Sequence, residues 1–328
     1  MMKPIKILEL FGGVGSPRCA LRNLGVPVKA IDYVEIDEKA VRSYNAMFKN
    51  DLEYKPQDVR CWNLCPDILV HGSPCQSFSI SGKQKGADKG SGTPSSLMWE
   101  TIKIIENMGQ WKPKVVIWEN VKNIRSKYMV HNHNLYINEL ARMGYNSNFA
   151  LLDARDFGLP QARQRYFTIS TLGDKVFNFD SLKKREVKPI QTFLESDVDD
   201  SYTVKAPSMV NAIGKKGVIK RLPIIEDFCY TITTRPDRAP GSGCLPIGNG
   251  LFRYLTEKEC WRLQGYSDED FDAASKVNSR RALYKQAGNS IPVPIFESIF
   301  EALFDGTAYI EEQNLFTLEQ EVADNGKS

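Results

Sequence analysis

Apolar positions in the first half of the chain follow two alternating periods. Short apolar runs at Ile5–Phe11, Val28–Glu35, Ile68–His71, Val115–Trp118, Phe149–Leu152 and Tyr166–Ser170 have the length and composition of strands. Between them, Pro17–Leu24, Glu38–Phe48, Ser96–Met108 and Asn134–Met143 carry apolar residues at helical spacing, as in the set Leu97, Ile102, Ile104, Ile105 and Met108. Ser16-Pro17 predicts a helix start, with serine as N-cap and proline in the first helical position. Strand–helix alternation with short connections predicts an α/β fold with a doubly wound, mostly parallel sheet. Beyond residue 173 the pattern changes to basic runs (KKREVK, KKGVIKR), an acidic stretch (ESDVDD) and many glycines and prolines. Helical signals return at Thr256–Leu263, where Thr256 and Glu259 have capping-box spacing, and a last helix follows Pro294. These shifts divide the chain into a sheet domain, 1–173 plus 280–328, and a smaller domain, 174–279.

Composition narrows the class. With 328 residues, 42% hydrophobic and 25% charged, the chain reads as an ordinary soluble protein with a sizeable core. No apolar stretch is long enough to span a bilayer, and the start MMKPIKILELFGG carries Glu9 in a short apolar run, which reads as a strand rather than a secretory signal. Seven cysteines without framework spacing suggest reduced thiols in the cytoplasm. Cys61 and Cys65 have no second pair, and His131 and His133 have no acidic or thiol neighbours, so no metal site is expected. The net charge of +3 says little about partners, but residues 205–238 hold seven Lys/Arg against three acids, a balance that suits a polyanion or a solvated face.

Candidate chemistry gathers at the ends of the expected strands, where open α/β sheets bind ligands. Phe11-Gly-Gly-Val-Gly-Ser-Pro17 joins a strand to a helix and lets backbone N–H groups approach a ligand. Glu35, about 20 residues further on, is placed for ribose hydroxyls or for capping the next helix. Asp58, at the expected end of a third strand, could meet an adenine amino group. The loop lacks the third glycine of a dinucleotide fingerprint and better suits a nucleoside without a diphosphate. Cys75 follows the strand Ile68–His71 and precedes a Gly- and Lys-rich stretch, Gln76–Ser96, that reads as a closing flap; this context favours a nucleophile over a structural thiol. Glu119 ends the next strand, as a proton donor to that thiol's chemistry or as a helix cap. Gln161, Arg163 and Arg165 alternate, so an extended segment would send all three to one face to grip phosphate or a base oxygen, or to form a basic edge. Two further segments, Arg253–Tyr266 and Gln286–Pro294, have no role that follows from their residues alone.

Together the segments FGGVG, VEID, QDV, GSPCQSFSISGK, ENV, QARQR, RYLTEKECWRLQGY and QAGNSIPVP resemble, in order and over most of the chain, the DNA (cytosine-5)-methyltransferases of bacterial and phage type. The resemblance implies a Rossmann-like class I methyltransferase domain that binds S-adenosylmethionine, a smaller target-recognition domain, and double-stranded DNA between them. It implies no metal and a monomer, and it allows a cognate restriction endonuclease acting separately. Carried over, Cys75 attacks C6 of a flipped-out cytosine, Glu119 contacts N3 and supplies a proton, and Arg163 and Arg165 orient the base and its phosphate. Phe11, Gly13, Gly15, Glu35, Ile36, Asp58, Val59, Pro74, Asn289 and Ser290 are implied around the cofactor. Ser81, Lys83, Gln84, Lys85, Gln161, Thr231, Arg235 and Arg238 are implied on the DNA side, with Ser81 or Gln84 filling the vacated space. The family commonly has another glycine where Ser16 stands. Two neighbouring readings are the tRNA-methylating branch of the family and a catalytically inactive DNA-binding relative; a nicotinamide oxidoreductase would leave PCQ, ENV and QARQR unexplained.

Overall fold

The computed structural model describes residues 4–49, 53–60, 65–73, 94–127, 129–214, 222–238 and 240–311. Pro74, Cys75, Ser81, Lys83, Gln84 and Lys85 lie outside the described residues. The first half runs β1 (Ile5–Leu10), α1 (Ser16–Asn23), β2 (Val28–Val34), α2 (Glu38–Met47), β3 (Ile68–His71), α3 (Met98–Asn107), β4 (Val115–Val121), α4 (Val130–Arg142) and β5 (Tyr145–Asp153). There follow β6 (Gln161–Ala162), β7 (Gln164–Leu172), β8 (Lys175–Phe177), α5 (Pro207–Val210), β9 (Cys229–Tyr230), β10 (Leu245–Gly248) and β11 (Leu251–Arg253). The chain returns to helix in α6 (Glu257–Arg262), α7 (Asp268–Ser275), α8 (Arg280–Asn289) and α9 (Val293–Asp305), before β12 (Tyr309–Glu311).

Six strands form the main sheet in the order β2-β1-β3-β4-β7-β5. Strands β2, β1, β3 and β4 are parallel, as the alternation predicts. Strands β7 and β5 are antiparallel, because only residues 154–163 separate β5 from β7, too few for a crossover helix. Side chains alternate between two cores. Ile7, Ile68, Val70, Val115 and Ile117 face α1, α2 and α9. Leu8, Leu69, Val116 and Trp118 face α3 and α4. Helices therefore cover both sheet faces, the doubly wound arrangement. Val204, Leu222, Cys244 and Tyr254 form a separate small core, whereas Leu255, Trp261, Tyr266 and Ala274 join the main one.

Two local expectations are corrected. Ser16 does not cap α1: Gly15 is the N-cap in the left-handed region (φ 82°), and the Ser16 hydroxyl is engaged elsewhere. No strand ends at Asp58-Val59; residues 53–60 follow β2 loosely, with the Gln57 N–H donating to the Glu35 carbonyl at 2.8 Å. The capping box at Thr256 and Glu259 forms as its spacing predicts. Pro294 lies in the first turn of α9, which starts at Val293 rather than after the proline. Among the described residues no helix is long and apolar enough to cross a membrane.

Candidate functional site

The carboxyl ends of β1 to β4 open onto a cleft of about 450 Å³. Phe11, Gly13, Glu35, Ile36, Asp58, Val59, Glu119, Arg163, Arg165, Asn289 and Ser290 all line it. These residues come from six separate stretches of sequence, and the parallel strands bring the first groups together because each strand ends on the same side of the sheet. Gly15 is not among the lining residues. A Cβ there would lie 2.6 Å from the Tyr44 ring, so this glycine allows α1 to close on α2 behind the cleft.

At one end of the cleft the Glu35 carboxylate accepts from three backbone amides: Gly13 N–H at 3.0 Å, Ile36 N–H at 2.9 Å and Asp37 N–H at 2.8 Å. This ties β2 to the glycine loop and fixes the carboxylate's direction. Ile36 beside it is 68% exposed, an apolar surface on a polar rim. Asp58 is exposed and accepts from the Arg60 N–H at 3.0 Å.

At the other end stands Glu119, whose side chain is 13% exposed. The antiparallel register sets Arg165 opposite Val121, so Arg165 and Glu119 are diagonal neighbours on one face. Arg165 Nε reaches Glu119 Oε1 at 3.1 Å. Burial pushes the Glu119 carboxyl above its ordinary value, while Arg165 and Arg163 pull it back down. Strand β3 pairs directly with β4, and Gly72, just past β3, faces Glu119 Oε2: a Cβ there would be 3.6 Å away. The Trp118 indole N–H donates to Ser73 Oγ at 3.1 Å, a second tie between β4 and the segment leading to residue 75.

Arg163 and Gln161 behave differently from their expected places. Arg163 is 2% exposed, and its guanidinium donates to the carbonyls of Ile232 (3.1 Å), Gly288 (3.0 Å) and Ser290 (2.7 Å). Gln161 is fully buried; its amide donates to the Leu263 carbonyl at 2.8 Å and accepts from the Ile232 N–H at 3.1 Å. The Thr231 hydroxyl donates to the Ala162 carbonyl at 2.8 Å. The three alternating side chains therefore do not share a face toward an anion. The extended run breaks between β6 and β7, where the Arg163 N–H donates to the Gln161 carbonyl at 2.9 Å, and the break turns Gln161 and Arg163 inward. Gln161 and Thr231, implied on the DNA side, are instead engaged in a seam joining 161–163 to 231–232, 263 and 288–290. Glycine is required in that seam, since a Cβ on Gly288 would meet the Thr233 carbonyl at 2.5 Å. Arg235 and Arg238 are exposed on one turn, with the Arg238 N–H donating to the Arg235 carbonyl at 3.1 Å.

Glu9 and Asn120 are among the cleft residues that sequence reasoning misses. Glu9, in the middle of the apolar run of β1, is 1% exposed, lines the cleft, and has no hydrogen-bond partner on either oxygen among the described residues. Burial pushes its carboxyl up to about 8, against the opposing pull of Arg18. The signal was present, an acid inside ILEL, but a single residue does not say which way it points. Asn120 also lines the cleft, and its side-chain carbonyl accepts from the Val121 N–H at 2.8 Å. Among the described residues no cluster of three or more His, Cys, Asp or Glu side chains forms.

Comparison with known proteins agrees with this geometry. The type II methyltransferase M2.ScrFI of Lactococcus lactis subsp. cremoris is 30% identical over 370 aligned residues, covering 92% of this chain and 99% of that protein. The type II methyltransferase M.HhaI of Haemophilus parahaemolyticus is 29% identical, covering 90% and 93%. Among solved structures, a methyltransferase of Entamoeba histolytica superposes with a TM-score of 0.74 at 21% identity, covering 93% of this chain and 99% of its own. Dnmt2 of S. pombe gives the same TM-score over 92% and 99%; at such identities these two speak for the fold alone. The sequence model of the C-5 cytosine-specific DNA methylases matches residues 5–224 and 208–305. With its sheet, its cleft and nearly its whole described length accounted for in this way, the chain belongs to the C-5 cytosine-specific DNA methylase family and is a DNA cytosine-5 methyltransferase.

Proposed function

We propose that the protein methylates a cytosine flipped out of a short duplex site through a covalent bond between Cys75 and C6, with S-adenosylmethionine as the methyl donor. The cleft residues fit that donor. Glu35 has acceptor capacity for ribose hydroxyls, Ile36 an apolar face for a flat ring, and Asp58 an acceptor for an exocyclic amine. The cofactor supplies an electrophilic methyl group on a sulfonium. Phe11, Gly13, Val59, Asn289 and Ser290 complete the walls, and Pro74 is assigned there too.

The single observation that carries the proposal is the Glu119–Arg165 pair, set in the wall of the same cleft and beside Gly72, three positions before Cys75 in sequence. In this mechanism the Cys75 thiolate adds to C6 as Glu119 delivers a proton to N3, leaving C5 electron-rich. C5 would take the methyl group as the S–CH3 bond breaks, with S-adenosylhomocysteine as the leaving group. Loss of the C5 proton to water then expels the thiolate, and N3 returns its proton to Glu119. A carboxyl held above its ordinary range by burial suits this give and take. Arg165 orients Glu119 and offsets charge on the base. Arg163 is a positioning residue rather than one that touches the base. A stacked base hides C6, so the cytosine must leave the duplex. The recognition part is assigned to 174–279 and the cofactor part to 1–173 plus 280–328. Arg235 and Arg238, with Ser81, Lys83, Gln84 and Lys85, are assigned to DNA contact. The cited relatives of restriction systems make a separately acting endonuclease the natural companion.

The test is transfer of labelled methyl from S-adenosylmethionine to duplex DNA and, separately, to tRNA. A denaturation-stable adduct with DNA carrying 5-fluorocytosine is expected from wild type and not from Cys75→Ser. Transfer to tRNA alone would overturn the substrate, and transfer without dependence on Cys75 would overturn the mechanism. Bisulfite sequencing of a host expressing the protein reads the target site directly.

A further inference from the structure

Three hydroxyls form a chain along the back of the cleft. Ser16 Oγ lies 2.6 Å from the Tyr266 hydroxyl, Tyr266 donates to Ser290 Oγ at 3.2 Å, and Ser290 Oγ donates to the Gln286 carbonyl at 2.8 Å. All three side chains are buried. Proton accounting gives the chain a direction. A carbonyl only accepts, so Ser290 commits its hydrogen to Gln286; Tyr266 commits its own to Ser290; Ser16 must then donate to Tyr266. Ser16 and Ser290 line the cleft, while Tyr266 stands behind it.

The chain links segments that are remote in sequence. Ser16 starts α1, next to the glycine loop, and is separated from Tyr266 by 250 positions. Tyr266 is delivered by the turn after α6, which is pinned in place: the Gln264 amide donates to the Ala287 carbonyl at 2.7 Å, and the Val293 N–H donates to the Gln264 carbonyl at 2.9 Å. This accounts for the two segments that had no role in the sequence, Arg253–Tyr266 as the strut and Gln286–Pro294 as the wall it supports.

We propose that the Ser16–Tyr266–Ser290 hydroxyl chain is a positioning device for the methyl donor, holding the glycine loop and the Asn289–Ser290 turn at the separation the bound cofactor needs. Ser16 is the end of this device that reaches the glycine loop. Its hydrogen is committed backward to Tyr266, so toward the cleft it offers only acceptor capacity. Any cofactor group that meets Ser16 must be a donor. The inference rests on the reading of the cleft as the S-adenosylmethionine site.

The test uses calorimetric titration of the full chain with S-adenosylhomocysteine. Tyr266→Phe is expected to weaken binding about tenfold, the scale of one or two buried hydrogen bonds. Ser16→Ala should weaken it similarly, and the double variant about as much as either single one, because the two hydroxyls belong to one chain. In steady state the KM for S-adenosylmethionine should rise by more than kcat falls, which general loss of packing would not produce. Should Tyr266→Phe fail to fold, Ser16→Ala carries the test alone. Unchanged affinity in Ser16→Ala overturns the proposal, as do losses that multiply in the double variant. Failure of the wild-type chain to bind S-adenosylhomocysteine overturns the cofactor reading itself, a result distinct from the other two.

Discussion

The cleft wall around Arg165 and the seam around Arg163 grow from one short stretch of chain, yet the two guanidiniums meet opposite environments. Arg165 faces a carboxylate and remains 15% exposed at the lining of the cleft. Arg163 faces three main-chain carbonyls and is withdrawn from water. A carboxylate can exchange a proton and respond to a substrate; a carbonyl can only hold. Identical side chains two positions apart are thus divided between a carboxylate partner in the cleft wall and carbonyl partners in the seam, and the break between β6 and β7 makes the division.

The difference can be broken at either end. The largest effect is expected from Arg163→Ala, which leaves three buried carbonyls without their donor and should cost about 4 kcal/mol of folding stability. Denaturant unfolding of the variant checks it; a loss confined to turnover, with stability intact, would return Arg163 to the reacting group. Next comes Arg165→Gln, expected to leave stability close to wild type and to reduce turnover about 100-fold, near 2.7 kcal/mol of transition-state stabilisation. The same variant has a signature in pH. Arg165 draws the Glu119 carboxyl downward against the upward push of burial. Removing the arginine therefore raises that carboxyl further, Glu119 keeps its proton to higher pH, and the alkaline limb of turnover moves up. A limb that stays in place would show that Glu119 is not the titrating group.

The smallest effect concerns a carboxyl on which burial outweighs the opposing pull of Arg18. Glu9 rises to about 8 in the folded chain, from an ordinary 4.5. The unfolded chain then loses its proton first, so the native state loses stability as pH rises through this window. Glu9→Gln removes the ionisation. The variant and wild type should differ little near pH 4, and the variant should be more stable at pH 9 by about 2 kcal/mol, the full shift being discounted for relaxation around a buried charge. Parallel stability curves across that range would mean that Glu9 finds a partner on ionising.

Much of the cleft was legible in the sequence because its logic is local. A strand end, a glycine loop and an acid one strand later are each readable within a few residues, and parallel pairing brings them together without further information. That is why Phe11, Gly13, Glu35 and Glu119 are all cleft residues. The seam was not legible. Strict alternation put Gln161, Arg163 and Arg165 on one face, but the partners that pull Arg163 inward lie 69, 125 and 127 positions away. No pattern within a strand reports them. Ser16 shows the same limit in small form: next to Pro17 it has the look of a helix cap, and its actual partner is Tyr266.

The packing of α1 against α9 has a consequence for how the protein comes into being. Arg22 in α1 binds Asp270 through two bonds of 2.8 and 2.7 Å, and Asn23 donates to Glu297 at 2.7 Å. These partners of α1 are made at the ribosome long after α1 itself, and Asn289 and Ser290 of the cleft arrive equally late. A nascent chain holding every strand of the main sheet still lacks one wall of its cleft and the part of the cover on one sheet face that α9 supplies. We expect protease resistance of ribosome-held chains to appear only once α9 has emerged; resistance at the length of the sheet alone would contradict this. The enzyme would then gain its capacity to modify DNA in one late step of synthesis, with no partly made form able to do so.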